Sequence, residues 1–244
     1  MSKKKYYGKG LPKVSAAELK GTLLVIEGAD GSGRSTQARL LRDWLQRIGY
    51  PTTEVGLKRS ELVGEELDAA MQGNVLGPTT LSLFYATDFA DQLENRILPA
   101  LRAGFVVVAD RYIYTLMARD VVRGAERSWI RDVYGIAVVP DMVMFLDVPP
   151  RTLVERSFQK QGELDYWESG MDIQRSGDMY QCFIRYQASI QKEFKHMQGE
   201  YGFEVLDGTK DPLIIHADVQ ERLKKVLRPH KARRDISGAG VTFS

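Results

Sequence analysis

Residues 22–36, TLLVIEGADGSGRST, constrain this chain more than any other stretch. Thr22 to Glu27 is a short aliphatic and β-branched run, the pattern of a buried strand. It breaks into Gly28-Ala29-Asp30-Gly31-Ser32-Gly33-Arg34-Ser35-Thr36, and a helix-like run follows from Gln37 to Ile48. A strand, a glycine loop and a helix in that order are the context of a phosphate-binding loop. Gly28, Gly33 and Ser35 fit the template G-x-x-x-x-G-K-[ST], and Arg34 stands where it has lysine. Gly28, Gly31 and Gly33 free the backbone to point successive N–H groups inward at phosphate oxygens. The helix behind them offers its dipole and unpaired N–H groups to the same anion. Residues Gly28 to Thr36 are therefore the expected phosphate cradle, with the Ser35 hydroxyl a ligand for Mg²⁺. Arg34 keeps the positive charge but replaces a compact ammonium with a planar fork. A glycine turn that binds nothing is the competing reading, and the carboxylates and arginines downstream argue against it.

Two hundred and forty-four residues suffice for one α/β domain with a core that needs no staples. A net charge of +2 gives no basic stripe for nucleic acid, and no apolar run approaches the roughly 20 residues that span a bilayer. Cys182 is the single cysteine, so an internal disulfide is impossible and a reducing, cytoplasmic location is expected. His196, His216 and His230 lack metal-ligand spacing. The Lys-rich start has no apolar segment of the signal-peptide kind.

From Thr22 onward, strand-like and helix-like segments alternate. Strands are expected near 52–56, 105–109, 142–147 and 203–206. Helices are expected near 61–72, 79–102, 113–135, 150–160, 172–197 and 212–227. That alternation implies a parallel sheet with helices on both faces and all strand carboxyl ends along one edge, where ligands collect. Residues 1–20 read as an extension whose Lys3-Lys4-Lys5 run is solvated, and the basic, aperiodic tail from Pro229 reads as disordered. One domain over 21–228 is the resulting expectation.

Phe105 to Ala109 is an apolar run ending at Asp110, followed directly by Arg111 and Tyr112. A carboxylate at a strand end beside a phosphate loop can hold Mg²⁺, and an adjacent arginine can take a phosphate bidentately. Taken with Gly28 to Gln37, the Asp110-Arg111-Tyr112 triplet and Pro140 to Val148 make the chain resemble the thymidylate kinases. Leu98 to Gly104 and Gln161-Gly162-Glu163-Leu164-Asp165 carry the same resemblance, which runs over roughly residues 22–227. It implies a single-domain P-loop kinase with a five-stranded parallel sheet, a homodimer, ATP and Mg²⁺. The implied reaction is transfer of the γ-phosphoryl group to a nucleoside monophosphate, under a mobile lid at about 157–171.

The resemblance carries roles onto individual residues. Asp30 matches the loop carboxylate near the acceptor's 3′-hydroxyl; Arg59 and Arg111 match the arginines on the acceptor phosphate. Two cations there neutralise the acceptor so that two anions can approach in line. In the base-reading segment an aromatic that stacks on thymine matches Tyr85. The hydrogen-bonding arginine four residues on is replaced by Phe89. Thr115 and Arg119 complete the expected substrate contacts, with Arg119-Asp120 standing where the family has an aromatic and a small polar residue. The lid carries few arginines: Lys160 is either the substitute cation or a surface lysine, with Arg156 before it and Arg175 beyond. Asp207-Gly208-Thr209-Lys210 resembles the loop that lies against adenine. Three readings follow. The first is a dTMP kinase, the second the same chemistry on another small acceptor, and the third a nucleotide-binding relative with little activity.

Overall fold

The computed structural model describes residues 4–73, 76–173 and 177–227. Five strands, β1 (Thr22–Gly28), β2 (Thr52–Gly56), β3 (Val106–Asp110), β4 (Met142–Asp147) and β5 (Glu204–Asp207), form one sheet. Their order is β2-β3-β1-β4-β5, and every pairing is parallel. β1 is buried along its whole length because it lies between β3 and β4. Alternation within the apolar runs assigns side chains to two cores. Leu23, Val25, Val107, Ala109, Val143 and Phe145 face one side, while Leu24, Ile26, Val106, Val108, Met144 and Leu146 face the other.

The first face is covered by α3 (Pro78–Gln92), α5 (Ile113–Val122) and α8 (Met179–Tyr201), and the second by α1 (Arg34–Arg47) and α9 (Pro212–Leu223). The remaining helices are α2 (Gly64–Gln72), α4 (Leu98–Arg102), α6 (Arg127–Val133) and α7 (Pro150–Gln161). Between α3 and α4 the chain stays helical through a π-helical turn, Leu93–Ile97. Pro99 lies just beyond it, and its missing N–H removes one regular α bond.

The helix expected over 172–197 begins later, at Met179, where Asp178 caps it by accepting from Gln181 N at 2.9 Å. Residues 166–173 form turns, the first of them opened by Asp165, whose Oδ1 accepts from Trp167 N and Glu168 N at 2.8 and 2.9 Å. A side chain that bonds its own following backbone competes with the helix ladder.

Ahead of β1, Tyr6 bridges Val138 antiparallel, and Tyr7 packs edge-on against Tyr114 and Tyr201. Lys4 is paired with Asp141, so this lysine is not simply solvated. The expected tail from Pro229 and the lid's Arg175 lie outside the described residues.

Candidate active site

The carboxyl ends of β1, β2 and β3 converge on one edge, and each hands over a piece of the site. After β1 comes the glycine loop. Gly28 has φ +153°, and a Cβ there would sit 2.6 Å from Ser32 Oγ; Gly33, at φ +93°, is the residue from which α1 starts. Both conformations favour glycine, which is why the loop can wrap close to an anion. Arg34, the first residue of α1, folds back into the loop. Its Nη1 donates to Ala29 O at 2.7 Å and also to Gly28 O, and its Nε donates to Asp110 Oδ1 at 3.3 Å. Burial, the largest influence on it, disfavours the Arg34 cation, and the Asp110 and Glu27 charges oppose that shift.

After β2, the segment carrying Arg59 is held by α3. Asp88 accepts from Lys58 N at 2.9 Å and from Ser60 N at 2.8 Å, and Gln92 bonds both backbone groups of Gly56. Burial raises the Asp88 pKa against these bonds. Arg59 itself is 40% exposed and only loosely paired, 3.8 Å from Glu54 and 4.0 Å from Asp110. A cation so held can turn to an incoming phosphate at little cost.

After β3, Arg111 adopts φ +74°, a left-handed conformation that is costly for a residue with a Cβ. Its guanidinium is paired with Asp30, which also takes Arg119 Nη2 at 3.1 Å and lies 3.7 Å from Arg34 Nη2. One loop carboxylate thus stands among three guanidinium groups. Burial and the neighbouring Arg119 charge both disfavour the Arg111 cation, so an added anion there is electrostatically welcome.

These residues line two adjoining chambers. The first, of about 390 Å³, is bounded by Asp30, the loop from Gly31 to Thr36, Arg59, Asp110, Arg111 and, from α7, Arg156, Ser157 and Lys160. The second, of about 490 Å³, is bounded by Lys58, Met71, Tyr85, Arg119 and the turn Asp165 to Glu168. Arg111 and Glu168 border both. Ser32 Oγ and Arg111 Nε are buried and make no hydrogen bond among the described residues. Each orphan donor costs about 1–3 kcal/mol until a ligand meets it. Ser35 Oγ and Asp110 Oδ2 lie 2.7 Å apart, an all-oxygen pair suited to a hard cation such as Mg²⁺.

Two expected contacts are placed elsewhere. Phe89 borders neither chamber; it is buried edge-on against Tyr112 at 5.2 Å and Tyr134 at 6.0 Å, as part of the core. Thr115 is likewise buried, with its hydroxyl bonded to Glu27 rather than open to a ligand. Tyr85, one turn before Phe89, does face the second chamber, and its hydroxyl lies 3.2 Å from Met71 Sδ. Arg119 reaches the same chamber from α5.

Other residues of the site were not singled out from the sequence. Trp167 donates its indole N–H to Met71 O at 3.1 Å, and Arg123 clamps the same turn through Asp172 and the Trp167 ring. Asp88 and Gln92, polar residues one turn apart on the helix face that also carries Leu81, Tyr85 and Phe89, are the sequence signal for the Arg59 support.

Residues 26–206 match the family model described as thymidylate kinase. The chain belongs to the thymidylate kinase family. A protein named "Probable thymidylate kinase 2" from Saccharolobus solfataricus is 37% identical over 211 residues, covering 86% of this chain and 96% of the relative. A "Probable thymidylate kinase" from Pyrococcus abyssi is 33% identical over 165 residues, covering 64% and 79%. The "Thymidylate kinase" of a Thermoanaerobacter species is 27% identical over 217 residues, covering 86% and 100%. Membership agrees with the parallel order β2-β3-β1-β4-β5 and with a glycine loop after the central strand.

Proposed function

We propose that this protein transfers the γ-phosphoryl group of ATP to dTMP, giving ADP and dTDP. The observation that carries the reading is the meeting of the two chambers at Arg111, glycine loop on one side and Tyr85 with Arg119 on the other. The loop amides and the α1 dipole would hold the donor phosphates, while Arg59 and Arg111 bind the acceptor phosphate. Such transfer is largely a matter of positioning and charge. Asp30 would release part of its ion pairing to receive the sugar hydroxyl. Arg156 and Lys160 of α7 border the donor chamber, where they supply the positive charge that the lid otherwise lacks. Ser35 and Asp110 would hold Mg²⁺, which when bound offsets the negative charge of the phosphate oxygens.

With Phe89 in the core, no guanidinium reaches the acceptor chamber from α3; Arg119 brings one from α5 and takes over that polar contact. The reading includes a single P-loop domain over 21–228 with a lid at about 157–171, a homodimer and a cytoplasmic location. These rest on the family resemblance and the lone cysteine.

The test is Mg²⁺-dependent ADP release with dTMP, dUMP, UMP, dCMP, dGMP and AMP in turn, on wild type and on Arg59→Ala and Arg111→Ala. Turnover led by dTMP, lost in both variants while ATP binding persists, is the expected result. Turnover led by another acceptor, or wild-type turnover in either variant, overturns the assignment.

A further inference from the structure

Glu27, the last side chain of β1 before the glycine loop, is fully buried, with no exposed surface at all. A carboxyl group in such a place needs partners, and its partners all belong to one turn. Oε1 accepts from Tyr112 N at 2.9 Å and from Thr115 N at 3.3 Å, and Oε2 accepts from the Thr115 hydroxyl. Tyr112 is the N-cap residue of α5, and no side chain of the helix's own sequence caps it. Glu27 therefore does the capping from another strand, meeting N–H groups that α5 would otherwise leave unsatisfied. The residue just before that cap is Arg111, held at φ +74° with its N–H donated to Ile26 O at 3.0 Å. A strained arginine persists only where its surroundings fix it. Here the residues on both sides of Arg111's peptide are fastened to the end of β1.

We propose that Glu27 is the positioning residue that holds the β3–α5 turn so that Arg111 faces both chambers. It touches neither chamber; its hydrogen bonds reach the site through Arg111, and its charge also lies close enough to favour the Arg34 cation. The inference rests on Arg111 serving as the acceptor-phosphate ligand. What the turn requires is hydrogen-bond acceptance, not charge. A neutral amide oxygen satisfies the two backbone N–H groups, and the Thr115 hydroxyl can turn to accept from the amide nitrogen. Glu27→Gln should therefore preserve the turn, and Glu27→Leu, of similar bulk, should not.

The experiment compares wild type, Glu27→Gln, Glu27→Leu and Thr115→Val. Its readouts are steady-state kinetics for dTMP and ATP and amide hydrogen exchange over residues 110–116. Glu27→Gln is expected to keep acceptor kcat/KM within about threefold of wild type. Glu27→Leu should lose on the order of 100-fold, the scale of an ångström-sized misplacement, with ATP affinity unchanged and faster exchange at the start of α5. Thr115→Val, which removes one bond of the three, should raise the dTMP KM several-fold, and it decides the matter if Glu27→Leu does not fold. Equal loss in Glu27→Gln and Glu27→Leu, or unchanged acceptor kinetics in Thr115→Val, overturns the proposal. A wild type that does not turn over dTMP would instead refute the reading of Arg111, and the exchange data would still report whether Glu27 fixes the turn.

Discussion

Asp30 is where the balance of charge in the site can be tested most directly. Its side chain is about 10% exposed and faces Arg111, Arg119 at 3.1 Å and Arg34 at 3.7 Å. Asp30→Asn keeps the shape and one acceptor oxygen but removes the negative charge that the three guanidinium groups share. Breaking a buried pair by removing one member costs about 3–5 kcal/mol. The low end, ~3 kcal/mol, applies because the chamber is open to water on one side. Unfolding entropy of about 2.1 cal/mol/K per residue gives roughly 0.5 kcal/mol/K for 244 residues, so the midpoint should fall by about 6 °C. The sign of the defect is also specified, because Arg111 and Arg119 lose their carboxylate partner while Arg34 keeps only Asp110, at 3.3 Å. Inorganic phosphate should therefore raise the variant's melting temperature more than it raises that of wild type. The assay is thermal unfolding of both proteins with increasing phosphate at constant ionic strength. An unchanged midpoint, or the same phosphate response in both proteins, would refute the view of Asp30 as the charge that holds the arginine cluster together.

Three further outcomes follow from the same geometry. Phe89→Ala should cost about 3–5 kcal/mol of stability and leave the preference for dTMP over dUMP as it was, since the ring packs on Tyr112 and Tyr134. Tyr85→Leu should raise the dTMP KM up to about tenfold by removing an aromatic face; a shifted base preference in Phe89→Ala, or an unmoved KM in Tyr85→Leu, contradicts these placements. Burial raises the Glu27 pKa to about 7 against the hydrogen bonds from Thr115 and Tyr112. The folded protein then keeps a proton that the unfolded chain has released, so this group's contribution to stability is present below the unfolded pKa near 4.5 and is lost as pH rises through 7. Glu27→Gln lacks that titration, so its stability relative to wild type should improve between pH 5 and 8 by on the order of 3 kcal/mol; denaturant unfolding at a series of pH values would show a flat difference if the carboxyl does not titrate there.

The glycine loop, the five strands and the carboxylate at the end of β3 could be read in the sequence because each is a local pattern. Glycines at fixed spacing, a run of apolar residues and a polar residue at its end say what the backbone does within a few residues. Strand boundaries accordingly agree to within one residue at β3 and β5. The helix expected from 172 begins at Met179, where the Asp178 side chain caps it, a local hydrogen bond that hydrophobic periodicity does not register. Roles within the site were harder to read, because they depend on the direction in which a helix presents its side chains. Tyr85 and Phe89 are one turn apart on α3, yet of the two only Tyr85 borders the second chamber, since packing against Tyr112 and Tyr134 draws Phe89 inward.

Glu27 illustrates the other limit. In the sequence it is one polar residue ending an apolar strand, 85 positions before Tyr112 and 88 before Thr115. Parallel pairing brings Ile26 opposite Asp110, and only that register delivers the carboxyl to the first turn of α5. Spacing along the chain determined that a phosphate loop and a parallel sheet form. The sheet register and the packing of α3 and α5 decided which side chains face the ligand, because those directions are set by contacts between segments far apart in the chain.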